Sequence, residues 1–206
     1  MNIKYLLAAI ALSIALFMCT SCEGSSELAV IIDSDKTPQI TVTDREFDCT
    51  AAECIEIFNK ELESRNLDSA DTKYDEKSDG NVTIYISTIN EKLELIMMSF
   101  SEVGDGISLL QIKCTTDVDD HYEATPDYFQ ALASCVCPEF NVKGFMRTGS
   151  EGFKYYDYNG LRFQFDEYEQ ELIEHKEETV GFYYITTARD EYGKYSDAIF
   201  ELYEDL

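Results

Sequence analysis

The sequence predicts an α+β domain: one antiparallel sheet of about seven strands, with helices packed on one face, built as a tandem helix-then-strands repeat. Three observations predict it. A capped amphipathic pattern near residue 50 precedes several runs that alternate apolar and polar residues. A second helical pattern from 125 precedes more such runs. A block at 114–132 recurs in altered form at 185–202.

The elements follow in order. Thr50-Ala51-Ala52-Glu53 is a capping box, in which the Thr50 hydroxyl accepts from a backbone N–H while Glu53 reaches back to the cap. Cys54, Phe58 and Leu62 then fall four apart, with Ile55 and Ile57 beside them, on one helical face. Strands follow at about 73–77, 82–89, 92–101 and 106–116, with Val82, Ile84 and Ile86 alternating with Thr83, Tyr85 and Ser87. The second helix begins at Thr125. Pro126 takes its first position, where proline has no donor to lose. Phe129, Leu132, Ala133 and Val136 form its stripe, and Pro138 ends it near Cys137. Strands at about 153–157, 161–166 and 180–187 complete the sheet. Asn159-Gly160 marks a two-residue hairpin turn, because both central positions need positive φ. Residues 167–179 fit either an acidic helix or an exposed strand. Their counterpart at 91–103 contains "LELIMMSF", which favours strand.

The recurring blocks are "CTTDVDDHYEATPDYFQAL" (114–132) and "ITTARDEYGKYSDAIFEL" (185–202). They divide a domain over 40–206 into units at about 50–121 and 122–192, plus a C-terminal helix at about 195–206. This order resembles in topology that of secreted bacterial modules such as the beta-lactamase inhibitory protein. The likeness is one of element order and implies no activity.

The N-terminus places Lys4 before an apolar run, Tyr5 to Met18, and small residues after it. That is the plan of an export signal. The run is about 14 residues, shorter than the ~20 needed to span a bilayer as a helix. The stretch "LFMCTSC", 16–22, resembles the end of a bacterial lipoprotein signal, in which small residues precede a cysteine that is lipidated and becomes the mature N-terminus. Cys22, preceded by Thr20 and Ser21, is the better fit. Cys19 is second, since Phe17 and Met18 crowd its cut. The resemblance implies a signal at 1–21, a tether at 22–39 and a lipid anchor on the external face of a bacterial membrane, with plain secretion as the alternative. The run Ala29–Ile32 also fits an edge strand.

The chain carries 41 Asp and Glu against 16 Lys and Arg, a net charge of −25. Phosphate binding needs clustered cations, so nucleic acid is excluded as a partner. Fourteen Tyr and twelve Phe supply the apolar area of a core, which excludes a disordered acidic tail.

Beyond the signal the cysteines are Cys49, Cys54, Cys114, Cys135 and Cys137. On a helix, residues five apart differ by ~140°, which sets Cys49 and Cys54 on different faces; Cys135 and Cys137 differ by ~200°. Neither pair reads as a zinc knuckle or a redox C-x-x-C. Small buried side chains account for them, and one disulfide among Cys49, Cys54, Cys114 and Cys135 fits an oxidising exterior. His121 and His175 lie in acidic surroundings, and no nucleophile elbow, H-E-x-x-H or phosphate loop is present. Asp117, Asp119 and Asp120 in "DVDDH" are the nearest to a cation site. Tyr122 and Tyr128 stand where an EF-hand needs Gly and Glu, so a solvated loop explains them better. No cofactor is implied.

The aromatic series from Tyr155 to Tyr184 is the strongest candidate for recognition. The alternation is read as placing Tyr156, Tyr158 and Tyr183 on the outward face, where tyrosines pack and hydrogen-bond to a ligand. Cross-strand packing explains the same residues. The function expected is a membrane-anchored, non-enzymatic lipoprotein that binds an unidentified protein or envelope component. The alternative is an extracellular hydrolase using paired carboxylates held in one cleft. A two-lobed solute receptor is disfavoured, because no parallel βαβ rhythm is present.

Overall fold

The computed structural model describes residues 29–117, 124–147, 153–171, 177–195, 198, 199 and 202. A two-residue hairpin comes first, β1 (Val42–Thr43) and β2 (Glu46–Phe47). Helix α1 (Ala51–Ser64) precedes β3 (Asp75–Ser78), β4 (Val82–Thr88), β5 (Leu93–Phe100) and β6 (Leu109–Asp117). Helix α2 (Thr125–Val136) and the short α3 (Val142–Met146) precede β7 (Phe153–Tyr158), β8 (Leu161–Glu171) and β9 (Glu177–Thr186). Helix α4 (Arg189–Lys194) follows. The fold is α+β, as the sequence predicts.

The seven long strands form one antiparallel sheet in the order β3-β4-β5-β6-β9-β8-β7. Each helix-led run is a meander, and the last strands of the two runs, β6 and β9, pair at the centre. The runs are unequal: the first has four strands, and the second has three and the added helix α3. Strand continues to Glu171 and resumes at Glu177, so the ambiguous acidic stretch is strand on both sides. Residues 172–176 lie outside the described part.

Helix α1 starts where its cap chemistry says it should. The Thr50 hydroxyl accepts from the Glu53 N–H at 3.3 Å, and the Thr50 N–H donates to the Glu53 carboxylate at 2.9 Å. The bond from the Thr50 N–H, and after it one from the Thr50 hydroxyl to the same carboxylate at 2.9 Å, hold the Glu53 carboxyl below its ordinary range. Thr50→Ala removes an acceptor from the first turn and is expected to cost about 1 kcal/mol, measured as a shift in urea midpoint at constant slope. A loss under a few tenths would mean that water replaces the cap.

Helices α1, α2 and α3 cover one face of the sheet. Cys54, Ile55, Phe58 and Leu62 of α1 and Phe129, Leu132 and Cys135 of α2 meet Leu95, Met97, Ile112, Phe163 and Ile185 from the strands. The other face is covered too. Val82, Ile84, Ile96, Met98, Phe100 and Leu109 pack with Ile199, and Val103, Tyr195 and Leu202 lie against them. Burial on both faces explains why β5 reads as a continuous apolar run rather than an alternating one. The short α4 precedes the expected C-terminal helix at about 195–206, in which the described residues Ala198, Ile199 and Leu202 are helical. Tyr195 caps α4 and stacks on Phe100 at 6.2 Å.

The expected tether needs correction. From residue 29 the chain is fastened to the domain. Ile31 bridges Phe140, the Ile32 N–H donates to the Glu139 carbonyl at 2.8 Å, and the Ile40 N–H donates to the Cys135 carbonyl at 2.9 Å. Val30 and Ile31 pack on the core, and Ile40 is buried within it. Apolar side chains recurring at 30, 31 and 40 give this segment a surface to bury, which a free tether lacks. The edge-strand alternative for Ala29–Ile32 reduces to that single bridge.

Candidate binding surface

The hairpin turn fixes which tyrosines face the core. Asn159 and Gly160 have φ of 50° and 81°, so β7 and β8 are joined by two residues only. That register sets Tyr158 opposite Leu161 and Tyr156 opposite Phe163. Directly opposed residues share a face. Tyr156 and Tyr158 therefore lie on the helix-covered side, packed against the core, with the Tyr156 ring 6.4 Å from Phe140. Tyr183 opposes Phe165 across β8–β9 and is 6% exposed, its ring 4.4 Å from Phe165 and 5.2 Å from Phe129. The expected outward surface of Tyr156, Tyr158 and Tyr183 is thus corrected: all three belong to the core side.

Among the three tyrosines of β7, the one that faces solvent is Tyr155, 54% exposed on the opposite side of the terminal strand. It pairs with Gln164 in register and lies under the guanidinium of Arg162, which is 4.4 Å from its ring centre. Arg162 is also held edge-on by Asp157, through Nε to Oδ1 at 2.9 Å and Nη2 to Oδ2 at 3.0 Å. This bidentate bond raises the Arg162 pKa above its ordinary value. Tyr155, Arg162 and Asp157 form a fixed aromatic-cation patch at one end of the sheet. The other terminal strand, β3, reads Asp-Glu-Lys-Ser and is charged and short, a pattern that blunts an edge.

Inward along the same row lie Gln164, Tyr184 and Gln111. Gln111 is 1% exposed, and neither its amide nitrogen nor its oxygen has a hydrogen-bond partner among the described residues. A buried amide without partners carries its full desolvation cost. Gln111→Met keeps the volume and removes that cost. It is expected to raise stability by about 1–2 kcal/mol in urea unfolding. A loss of stability instead would mean that the amide is satisfied by water.

The remaining candidates do not assemble. Asp117 ends β6, while Asp119, Asp120 and His121 lie outside the described residues, as do Cys19, Cys22 and the whole expected signal. Among the described residues no group of His, Cys, Asp and Glu is placed to hold a metal ion. No described helix is long and apolar enough to cross a membrane. A surface groove of about 410 Å³ along α1 carries Glu56 and Glu63. Glu56 is salt-bridged to Lys60 at 2.7 Å, with its side chain 68% exposed. Paired-carboxylate hydrolysis needs both acids held in one cleft, and Glu56 is instead solvated and paired with a lysine. Comparison with protein-family models, with curated proteins and with solved structures finds no match for this chain.

Proposed function

We propose that this chain is an exported, lipid-anchored and non-enzymatic binding protein that takes a protein or envelope component at the β7 end of its sheet. The observation that carries the proposal is the exposed Tyr155 ring clamped by Arg162 and Asp157 on a terminal strand. Tyr and Arg are the residues most often found at the energetic centre of interfaces, and a ring already held in place loses little freedom on binding. An edge strand adds backbone donors and acceptors for an extended partner segment. The net charge of −25 favours a partner that is basic or neutral. The apolar run and Cys22 support export and anchoring, with acyl chains contributing roughly 0.8 kcal/mol per buried methylene.

The binding claim is tested by a photo-crosslinking residue placed at Tyr155, and at Glu76 on β3 as control, in cells that express the full chain. A discrete adduct from position 155 that is missing from position 76, and is lost on Arg162→Glu, is expected. Adducts from neither position, or equally from both, would overturn it. The anchor is tested separately: Cys22→Ala is expected to move the protein from the membrane fraction to the soluble one. Retention of Cys22→Ala with release of Cys19→Ala would move the anchor to Cys19, and retention of both would remove the lipid reading.

A further inference from the structure

Cys49 and Cys54 would face apart if both lay on one helix, but they do not. Helix α1 begins at Ala51 with Thr50 as its cap, so Cys49 precedes the cap and Cys54 closes the first turn. Those are the two positions at which a helix start brings side chains together, ordinarily two apolar ones that form a staple. Here both are thiols. Side-chain interaction with Cys49 and burial push the Cys54 thiol well above its ordinary pKa. Cys54 is fully buried, while Cys49 is half-buried at the edge of the same core. The turn between them is fixed by the capping box, by the Cys49 N–H donating to the Phe47 carbonyl at 2.7 Å and by the Cys54 N–H donating to the Thr50 carbonyl at 2.9 Å. Two neighbouring thiols are engaged elsewhere: Cys135 donates to the Ala131 carbonyl at 3.3 Å, and Cys137 to the Glu139 carboxylate at 3.4 Å.

We propose that Cys49 and Cys54 are a cross-linking site, joined by a disulfide that covalently closes the staple at the start of α1 when the protein meets an oxidising compartment. The oxidant is another disulfide, small-molecule or protein-borne. Cys49, the accessible partner, attacks it as a thiolate. The oxidant's S–S bond breaks, one half leaves and takes up a proton, and a mixed disulfide remains on Cys49. Cys54, at the other staple position, then loses its proton and displaces the second half as a thiol. Two protein thiols are oxidised and one disulfide is reduced to two thiols. The side-chain interaction with Cys49 and burial both hold the Cys54 proton, which assigns the first attack to Cys49. This site is independent of the binding surface at β7.

The test is made on the full chain equilibrated with oxidised glutathione. Free thiols are alkylated in denaturant, and the protein is cut with a protease specific for glutamate. Cleavage after Glu53 puts Cys49 and Cys54 on separate peptides. The expected result is that these two peptides stay joined until reduced, while Cys114, Cys135 and Cys137 are alkylated. The thermal midpoint is expected to fall by several degrees on reduction, and the Cys49→Ala chain to show no such response. Alkylation of both cysteines, glutathione left on Cys49 alone, or Cys54 joined to the Cys135 peptide would each overturn the proposal. Because Cys49 is only half-buried, its alanine variant keeps the test usable even where Cys54→Ala does not fold.

Discussion

Phe140→Ala is expected to cost about 3–5 kcal/mol of folding stability. Phe140 follows α2 and is fully buried. Its ring stacks on Phe163 of β8 at 3.7 Å with the planes 9° apart, and it meets Phe145 at 5.5 Å, Phe129 at 6.3 Å and Tyr156 at 6.4 Å. Its carbonyl accepts from the Gln130 side chain at 2.8 Å, and its backbone bridges Ile31. One residue therefore joins α2, α3, β7, β8 and the N-terminal segment. Truncation removes the transfer energy of the ring and leaves a cavity whose walls belong to several elements, which cannot close in together. Against a total stability of about 5–15 kcal/mol such a loss is a fifth or more, and about 10 °C in thermal midpoint for a chain of this size. Urea unfolding followed by circular dichroism measures it. Tyr155→Ala, an exposed ring on the same hairpin as Tyr156, is the control and should stay within about 0.5 kcal/mol. A Phe140→Ala loss below about 1 kcal/mol would mean that the aromatic cluster is not packed as described.

Much of this architecture is legible in the sequence, because local rules and tertiary packing agree. The Thr50 box, the Pro126 start and Pro138 stop of α2, and the Asn159-Gly160 turn each name an element boundary by backbone chemistry, and each holds. Alternation taken strand by strand misplaces the tyrosines, although the signal that corrects it is present. A two-residue turn fixes the register, the register pairs Tyr156 with Phe163, and the alternation of Leu161, Phe163 and Phe165 already names the core face. Following the register through the turn brings out Tyr155 and Arg162. The Cys49–Cys54 staple positions escape for a related reason. Helical rotation does not apply to a residue that lies before the cap, where the chain runs in along the helix instead of around it. The pairing of β6 with β9, and the C-terminal cover on the second sheet face, depend on contacts far apart in the chain. Periodicity says that a face is buried and leaves open what buries it.

The second large effect concerns a buried charge. Glu61 sits on α1 with its side chain 8% exposed. Arg65, one turn later, donates to its Oε1 through Nη2 at 2.7 Å and Nε at 2.9 Å. The same Nη2 donates to the Ser134 hydroxyl of α2 at 2.9 Å, and Ser134 donates on to the Gln130 carbonyl at 2.8 Å. Lys36 approaches Glu61 at 3.8 Å from the N-terminal segment. The pair thus joins two helices where they cross, and Arg65→Met strands a carboxylate that water scarcely reaches. Removing one member of a buried pair costs about 3–5 kcal/mol. Arg65 is itself 30% exposed and Lys36 stays within reach of the carboxylate, so about 2–3 kcal/mol is expected. The double variant Glu61→Leu with Arg65→Met decides what kind of cost this is. If the loss comes from the stranded charge, the double variant regains most of it, because neither polar group is then left without a partner. If the loss comes from the bond to Ser134, the double variant stays as unstable as Arg65→Met. A double-mutant cycle in urea separates the two outcomes, and a single-variant loss under about 0.5 kcal/mol would make the pair an ordinary surface contact screened by water.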